Sequence, residues 1–193
     1  AGGDAIAAVL FGDINPSGKL PISFPVSVGQ LPVYYNRYAG WHARNDDRLD
    51  GEERYFDTPA EPLYSFGFGL SYTRFDYANL VVSTDRLGAG DALEVSVEVT
   101  NSGDRDGTEI VQLYINDLVS SVTTPVKALR GFERVPIPAG ETDTVSIRVP
   151  HEEFALVDAD LNRRVEAGEF EIMVGPSSRS DDLLRTTIYV EAS

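Results

Sequence analysis

The sequence has no cysteine, and only two of its 16 basic residues, Lys19 and Lys127, are lysines. Without cysteine there are no disulfides and no thiolate metal sites, and the redox compartment stays open. Few lysines beside 31 acidic residues leave a formal charge of -15. Such a field repels phosphates and anionic lipid, so neither nucleic acid nor a membrane surface is expected as a partner. The composition suits a high-salt or high-GC source, and equally an ordinary acidic surface. Long apolar runs are missing too: none approaches the roughly 18 residues of a membrane span. The first residues lack the charged, apolar and cleavage-site succession of a signal peptide, and the sequence reads as starting inside a longer protein. Repeats and low-complexity segments are absent. What is present, 42% hydrophobic residues over 193 positions, fills one domain and part of another.

The chain is organised around Tyr64 to Thr73. There Tyr64, Phe66, Phe68 and Tyr72 alternate with Ser65, Gly67, Gly69 and Ser71, so an extended chain would carry rings on one side and almost nothing on the other. Glycine within such a segment marks close backbone approach, and Gly67 and Gly69 are expected to press onto a neighbouring unit. A dinucleotide fingerprint is excluded, because Tyr72 stands where its third glycine would fall and no helix follows.

Before this connector, Asp4 is placed to cap a short helix with Ile6, Val9 and Leu10 on one face, ended by a left-handed Gly12. Residues 13–18 are turn chemistry, and Leu20 to Phe24, between Pro21 and Pro25, predicts a short edge strand. From Ser27 to Pro62 neither period survives, and a stretch of that length is usually functional or mobile. It groups Tyr35, Arg37, Tyr38, Trp41 and Arg44 with many carboxylates. Rings stack on pyranose faces and charged groups bond hydroxyls, which makes these five candidates for sugar contact. Equally, the tyrosines could pack the loop onto a neighbour while the charges stay solvated.

After the connector the period becomes two. Strands are predicted at Tyr77–Thr84, Ala92–Thr100, Ile110–Asn116, Ala128–Val135, Glu141–Val149, Phe170–Gly175 and Leu184–Glu191, with Leu93, Val95, Val97 and Val99 facing inward. Seven such strands read as an immunoglobulin-like sandwich without the cysteine pair of antibody domains. Phe154, Leu156 and Val157 should cross one end of it. Tyr77, Tyr114, Phe132, Phe154, Phe170 and Tyr189 are scattered one at a time, which suits a core better than a flat binding row.

Other chemistry finds little support. His42 and His151 are far apart, so no metal site or catalytic triad is expected from them. Asp104–Gly107 and Asp158–Asp160 have the start of calcium loops without a ligand at the twelfth position, and read as turns. No cofactor is expected. Glu52 and Glu53 are adjacent, hence pointing differently, and are most simply solvated.

Several phrases together resemble the family 3 glycoside hydrolases. They are Gly2–Gly12, Asn15–Pro21 with Phe24-Pro25, Leu31–Asn36 and the connector itself, then Val99–Gly107, Gln112-Leu113-Tyr114, Pro125–Phe132, Ala139-Gly140-Glu141 and Ala167–Gly175. The first group is similar to the end of that family's α/β-sandwich domain, the second to its C-terminal fibronectin type III-like domain. The resemblance implies a mainly β chain. Residues 1–62 would be the tail of an α/β domain with a long loop, 63–75 an extended linker, and 76–193 a fibronectin type III-like β-sandwich. It also implies a retaining, exo-acting β-glucosidase-like parent that acts on β-linked glycosides, whose barrel and remaining α/β domain would be this chain's partners. In the family both catalytic carboxylates lie in parts that precede Gly2, so no catalytic residue is assigned here and the chain alone should be inactive. Tyr35, Arg37, Tyr38, Trp41 and Arg44 would then lie at the rim of the active site. The rival readings are a carbohydrate-binding module and an adhesion domain. Sugar, linkage and localisation remain unassigned.

Overall fold

The computed structural model describes residues 2–38 and 61–193. It opens with helix α1 (Gly2–Leu10), none of whose residues is buried. Asp4, expected as the cap, lies inside the first turn, where its carboxylate faces the positive end of the helix dipole. Gly12 ends the helix with a φ of 83° and a bond from its N–H to the Val9 carbonyl, the left-handed exit expected of it. The edge strand expected at Leu20–Phe24 does not form. Leu20 and Phe24 each reach the connector, through Leu20 N–H to Phe68 O and a bridge between Phe24 and Tyr64, but Pro21 and Pro25 have no N–H to continue a ladder.

The β region has ten strands: β1 (Phe75–Val82), β2 (Arg86–Leu87), β3 (Ala92–Asn101), β4 (Gly107–Asp117), β5 (Ala128–Ile137), β6 (Thr142–Pro150), β7 (Leu156–Val157), β8 (Arg163–Arg164), β9 (Gly168–Gly175) and β10 (Leu184–Val190). A three-stranded sheet, β1-β3-β6, packs on a five-stranded one, β2-β10-β9-β4-β5. The seven long strands are those read from the alternation; the two-residue strands are too short to leave a period. Strand β1 starts two residues before its expected position and shifts register between Ala78 and Val81, beside Asn79 at a φ of 54°.

Alternation decides which side chains fill the space between the sheets. Leu93, Val95, Val97 and Val99 of β3 meet Val111, Leu113 and Ile115 of β4 and Phe170, Ile172 and Val174 of β9 in one core. Phe154 closes one end, its ring edge-on to Phe170 at 5.2 Å. Of the six scattered aromatics, Phe132 and Tyr189 depart from the core reading: Phe132 pairs with Gln112 on the outer face of the five-stranded sheet and is exposed, and Tyr189, between the inward Ile188 and Val190, lies under the Arg86 guanidinium at 4.5 Å. That outer face is the one that receives the first part of the chain.

Candidate functional site

The connector is not flat. Phe68 N–H bonds Ser65 O at 3.1 Å, and Gly67, with a φ of 78°, occupies the third position of a turn that only glycine enters freely. The turn sends the rings in different directions. Tyr64 stacks on Phe68 at 5.1 Å and meets Phe24 edge-on, whereas Phe66 turns to the sheet and stacks on Tyr35 at 4.1 Å. Both Tyr35 and Phe66 then stand edge-on to Tyr114 of β4, at 5.9 and 6.5 Å. With Met173, Leu183 and Leu129 these rings form a second, smaller core on the outer face of the sheet.

Polar groups complete the junction. Buried Gln112 donates to Gly67 O and Pro176 O and accepts from Tyr114 Oη at 2.6 Å. The close approach expected of both glycines is present: a Cβ at Gly67 would collide with the Gln112 amide, and one at Gly69 with the Gly18 carbonyl. Lys19 Nζ reaches buried Glu109 Oε1 at 2.7 Å. Asn15 ties three segments, accepting from Ser71 Oγ and Tyr72 N and donating to Asp106 O. Arg105 donates to Gly12 O at 2.8 Å and lies over the Tyr72 ring.

Lys127, buried with its Nζ 2.9 Å from both Ser178 O and Ser180 Oγ, closes the opposite side of the junction. Burial pulls its ammonium down to about 8; Arg185 and Arg37 act the same way and Glu61 and Glu171 against it. Burial, and then neighbouring Tyr35, pushes the Tyr114 phenol up. Burial followed by Glu109 does the same to Tyr77.

The sequence-derived candidates divide. Tyr35 is engaged by its ring, and its hydroxyl accepts weakly from Leu129 N–H at 3.4 Å. Arg37 O accepts from Val126 N–H, and Tyr38 bridges Pro125 with its side chain half in solvent. Trp41, Arg44, His42, Glu52 and Glu53 lie outside the described residues. His151 is buried with Nε2 2.7 Å from Glu191 O. Asp158 Oδ1 accepts from Asp160 N and Asn162 N, which makes its loop a turn closed on its own side chain. Sequence reasoning missed Lys19, Gln112, Glu109 and Lys127 as junction residues; the one available signal was that a chain nearly free of lysine keeps two.

Residues 1–72 match the glycosyl hydrolase family 3 C-terminal domain, and residues 109–178 the fibronectin type III-like domain. The chain is 43% identical over 178 residues to a periplasmic beta-glucosidase of Salmonella typhimurium, covering 92% of this chain and 23% of that protein. It is 43% identical over 189 residues to a beta-xylosidase of Formosa agariphila, covering 98% of this chain and 25% of the relative. The crystal structure of a beta-glucosidase from Listeria innocua in complex with glucose superposes with a TM-score of 0.89 at 36% identity, over 98% of this chain and 26% of that one. The chain thus spans about a quarter of the length of the relatives it matches.

Proposed function

The chain belongs to the C-terminal region of the family 3 glycoside hydrolases, and on that premise we propose that it is the non-catalytic, stabilising end of a retaining, exo-acting β-glucosidase-like enzyme. The observation that carries this reading is the junction: Phe66 of the connector, Tyr35 of the preceding segment and Tyr114 of the sheet share one apolar cluster, bracketed by the Lys19–Glu109 pair and by Gln112. Such a joint serves to fix one unit against another. In this reading residues 1–62 complete an α/β domain, 63–75 link, and 76–193 hold the two in register. The apolar side chains left uncovered on α1 and after it, among them Ile6, Leu10, Phe11 and Ile14, are where the remaining α/β domain would pack. Arg37, Tyr38, Trp41 and Arg44 form the rim of the parent active site, with Tyr35 as the packing point at its base. β-Linked glycosides reach the chain through that site.

Expression of the chain alone and joined to the polypeptide encoded directly upstream tests the reading. Hydrolysis of aryl β-glucosides or β-xylosides is expected only from the longer protein. Turnover by residues 1–193 alone, or an upstream region that encodes no barrel, overturns it.

A further inference from the structure

A groove of 330 Å³ opens at the end of the sandwich closed by Phe154, between the 118–127 loop and the chain after β6. Its floor is apolar, formed by Ile115, Phe154 and Phe170. Its walls carry Asp117, Arg130 and Glu153, the hydroxyls of Thr123 and Thr124, and the ring of Tyr38, which is 51% exposed.

One wall is held in place. Glu166 accepts from both Ser121 N–H and Ser121 Oγ, at 2.9 and 2.6 Å, and Ser120 Oγ donates to Val122 O. The Tyr38 backbone is fixed against Pro125, so the ring needs no ordering of its main chain to present a face. Arg130 and Glu153 stand 3.8 Å apart, too far for a close hydrogen bond, and each keeps donor or acceptor capacity for a third group.

We propose that this groove is a binding site for a neutral saccharide. Three features select that ligand class. A pyranose offers an apolar C–H face to a ring and to an aliphatic floor while its hydroxyls need both donors and acceptors, and Tyr38, Phe154, Arg130, Asp117 and Glu153 supply that mixture. Two carboxylates against one guanidinium disfavour organic anions, as does the charge of -15 on the chain. The volume falls at the lower end of the range of small-molecule pockets, roughly 300–1,000 Å³, which suits one or two sugar rings. Tyr38 is shared with the rim described above, but the groove needs nothing from the catalytic assignment: it exists in residues 1–193, and its test involves no turnover.

The test is an amide chemical-shift titration of the 193-residue chain with cellobiose and xylobiose, with sorbitol as an acyclic polyol control. Binding with a Kd of about 1 mM is expected, with shifts confined to Tyr38, residues 115–130, residues 153–157 and Phe170, and none caused by sorbitol. Tyr38→Ala, an exposed position whose bridge is main-chain, should weaken binding about 10-fold through the lost stacking face. Glu153→Gln should weaken it less while leaving the rest of the amide spectrum unchanged, which keeps the test readable if Tyr38→Ala disturbs the loop. No shifts at saturating disaccharide, equal shifts with sorbitol, or shifts placed elsewhere overturn the site. Any of these outcomes would leave the hydrolase reading untouched, just as an inactive longer protein would leave the groove untouched.

Discussion

Lys19 Nζ stands 2.7 Å from Glu109 Oε1, and the two side chains are only 16% and 6% exposed, so an ion pair largely withdrawn from water joins the segment before the connector to strand β4. Glu109 Oε1 also accepts from Ile110 N–H, which leaves the carboxylate well bonded as long as the lysine is present. Removing one partner strands a buried charge, which costs more than the pair itself contributes. Lys19→Met should therefore lower stability by about 3 kcal/mol, and Lys19→Met with Glu109→Gln by less than the two single losses added. Urea midpoints of the four proteins measure it; strict additivity would mean that the two residues act independently.

Gly67 is the second hold on the connector. Its φ of 78° disfavours any side chain, and a Cβ there would displace the Gln112 amide that donates to Gly67 O and Pro176 O. Gly67→Ala should cost about 2–4 kcal/mol, from the left-handed strain together with the lost buried hydrogen bonds. It should also speed hydrogen exchange at Phe66–Ser71 while strands β3 and β9 keep their protection. Uniform acceleration across the sandwich would instead show that the connector and the sheet open together.

The sandwich was legible in the sequence because its signal is local. Val95, Val97 and Val99 alternate with Ser96 and Glu98, and that pattern survives unchanged as one buried and one outward row. The connector was legible in part: its glycines announced close approach, but the alternation of rings concealed a turn, since a glycine at positive φ reverses the chain without altering the residue pattern. The junction was almost invisible. Tyr35 and Tyr114 are 79 positions apart, and Lys19 and Glu109 are 90 apart. Neither pairing leaves a period, because each is created by packing between units and by no element alone. Rings near arginines suggested sugar contact around Tyr35, and the fold uses that ring for packing.

The rim reading has its own test in the parent enzyme. Trp41 lies outside the described residues, and its role rests on the grouping of rings and guanidinium groups around it in the sequence. A residue that contacts a distal sugar contributes binding that a short substrate never uses. Trp41→Ala should therefore raise KM for β-linked oligosaccharides several-fold more than for aryl monoglycosides, with kcat little changed. Equal effects on both substrates, or none on either, would remove Trp41 from the rim.

Lys127 makes a pH dependence calculable in sign. Burial brings its folded value to about 8, below the ordinary 10.5, so the charged form is disfavoured by folding. Well below pH 8 the penalty of the buried ammonium is fully present. Between 8 and 10.5 the unfolded chain holds more protons than the folded one, and stability rises with pH. By pH 9.5 the gain should reach about 2 kcal/mol, at roughly 1.4 kcal/mol for each pH step beyond 8. Tyr77 and Tyr114 act in the opposite sense and at higher pH: burial keeps both phenols neutral in the fold, while unfolded tyrosines ionise near 10.0, so stability falls above that value. The readable window is thus pH 7.5 to 9.5, in urea unfolding of the wild-type chain against Lys127→Met, which removes this titration and leaves every other group in place. The difference in stability between the two proteins should shift in favour of the wild type as pH rises through this window. A constant difference would mean that the ammonium is better solvated than its contacts with Ser178 O and Ser180 Oγ indicate.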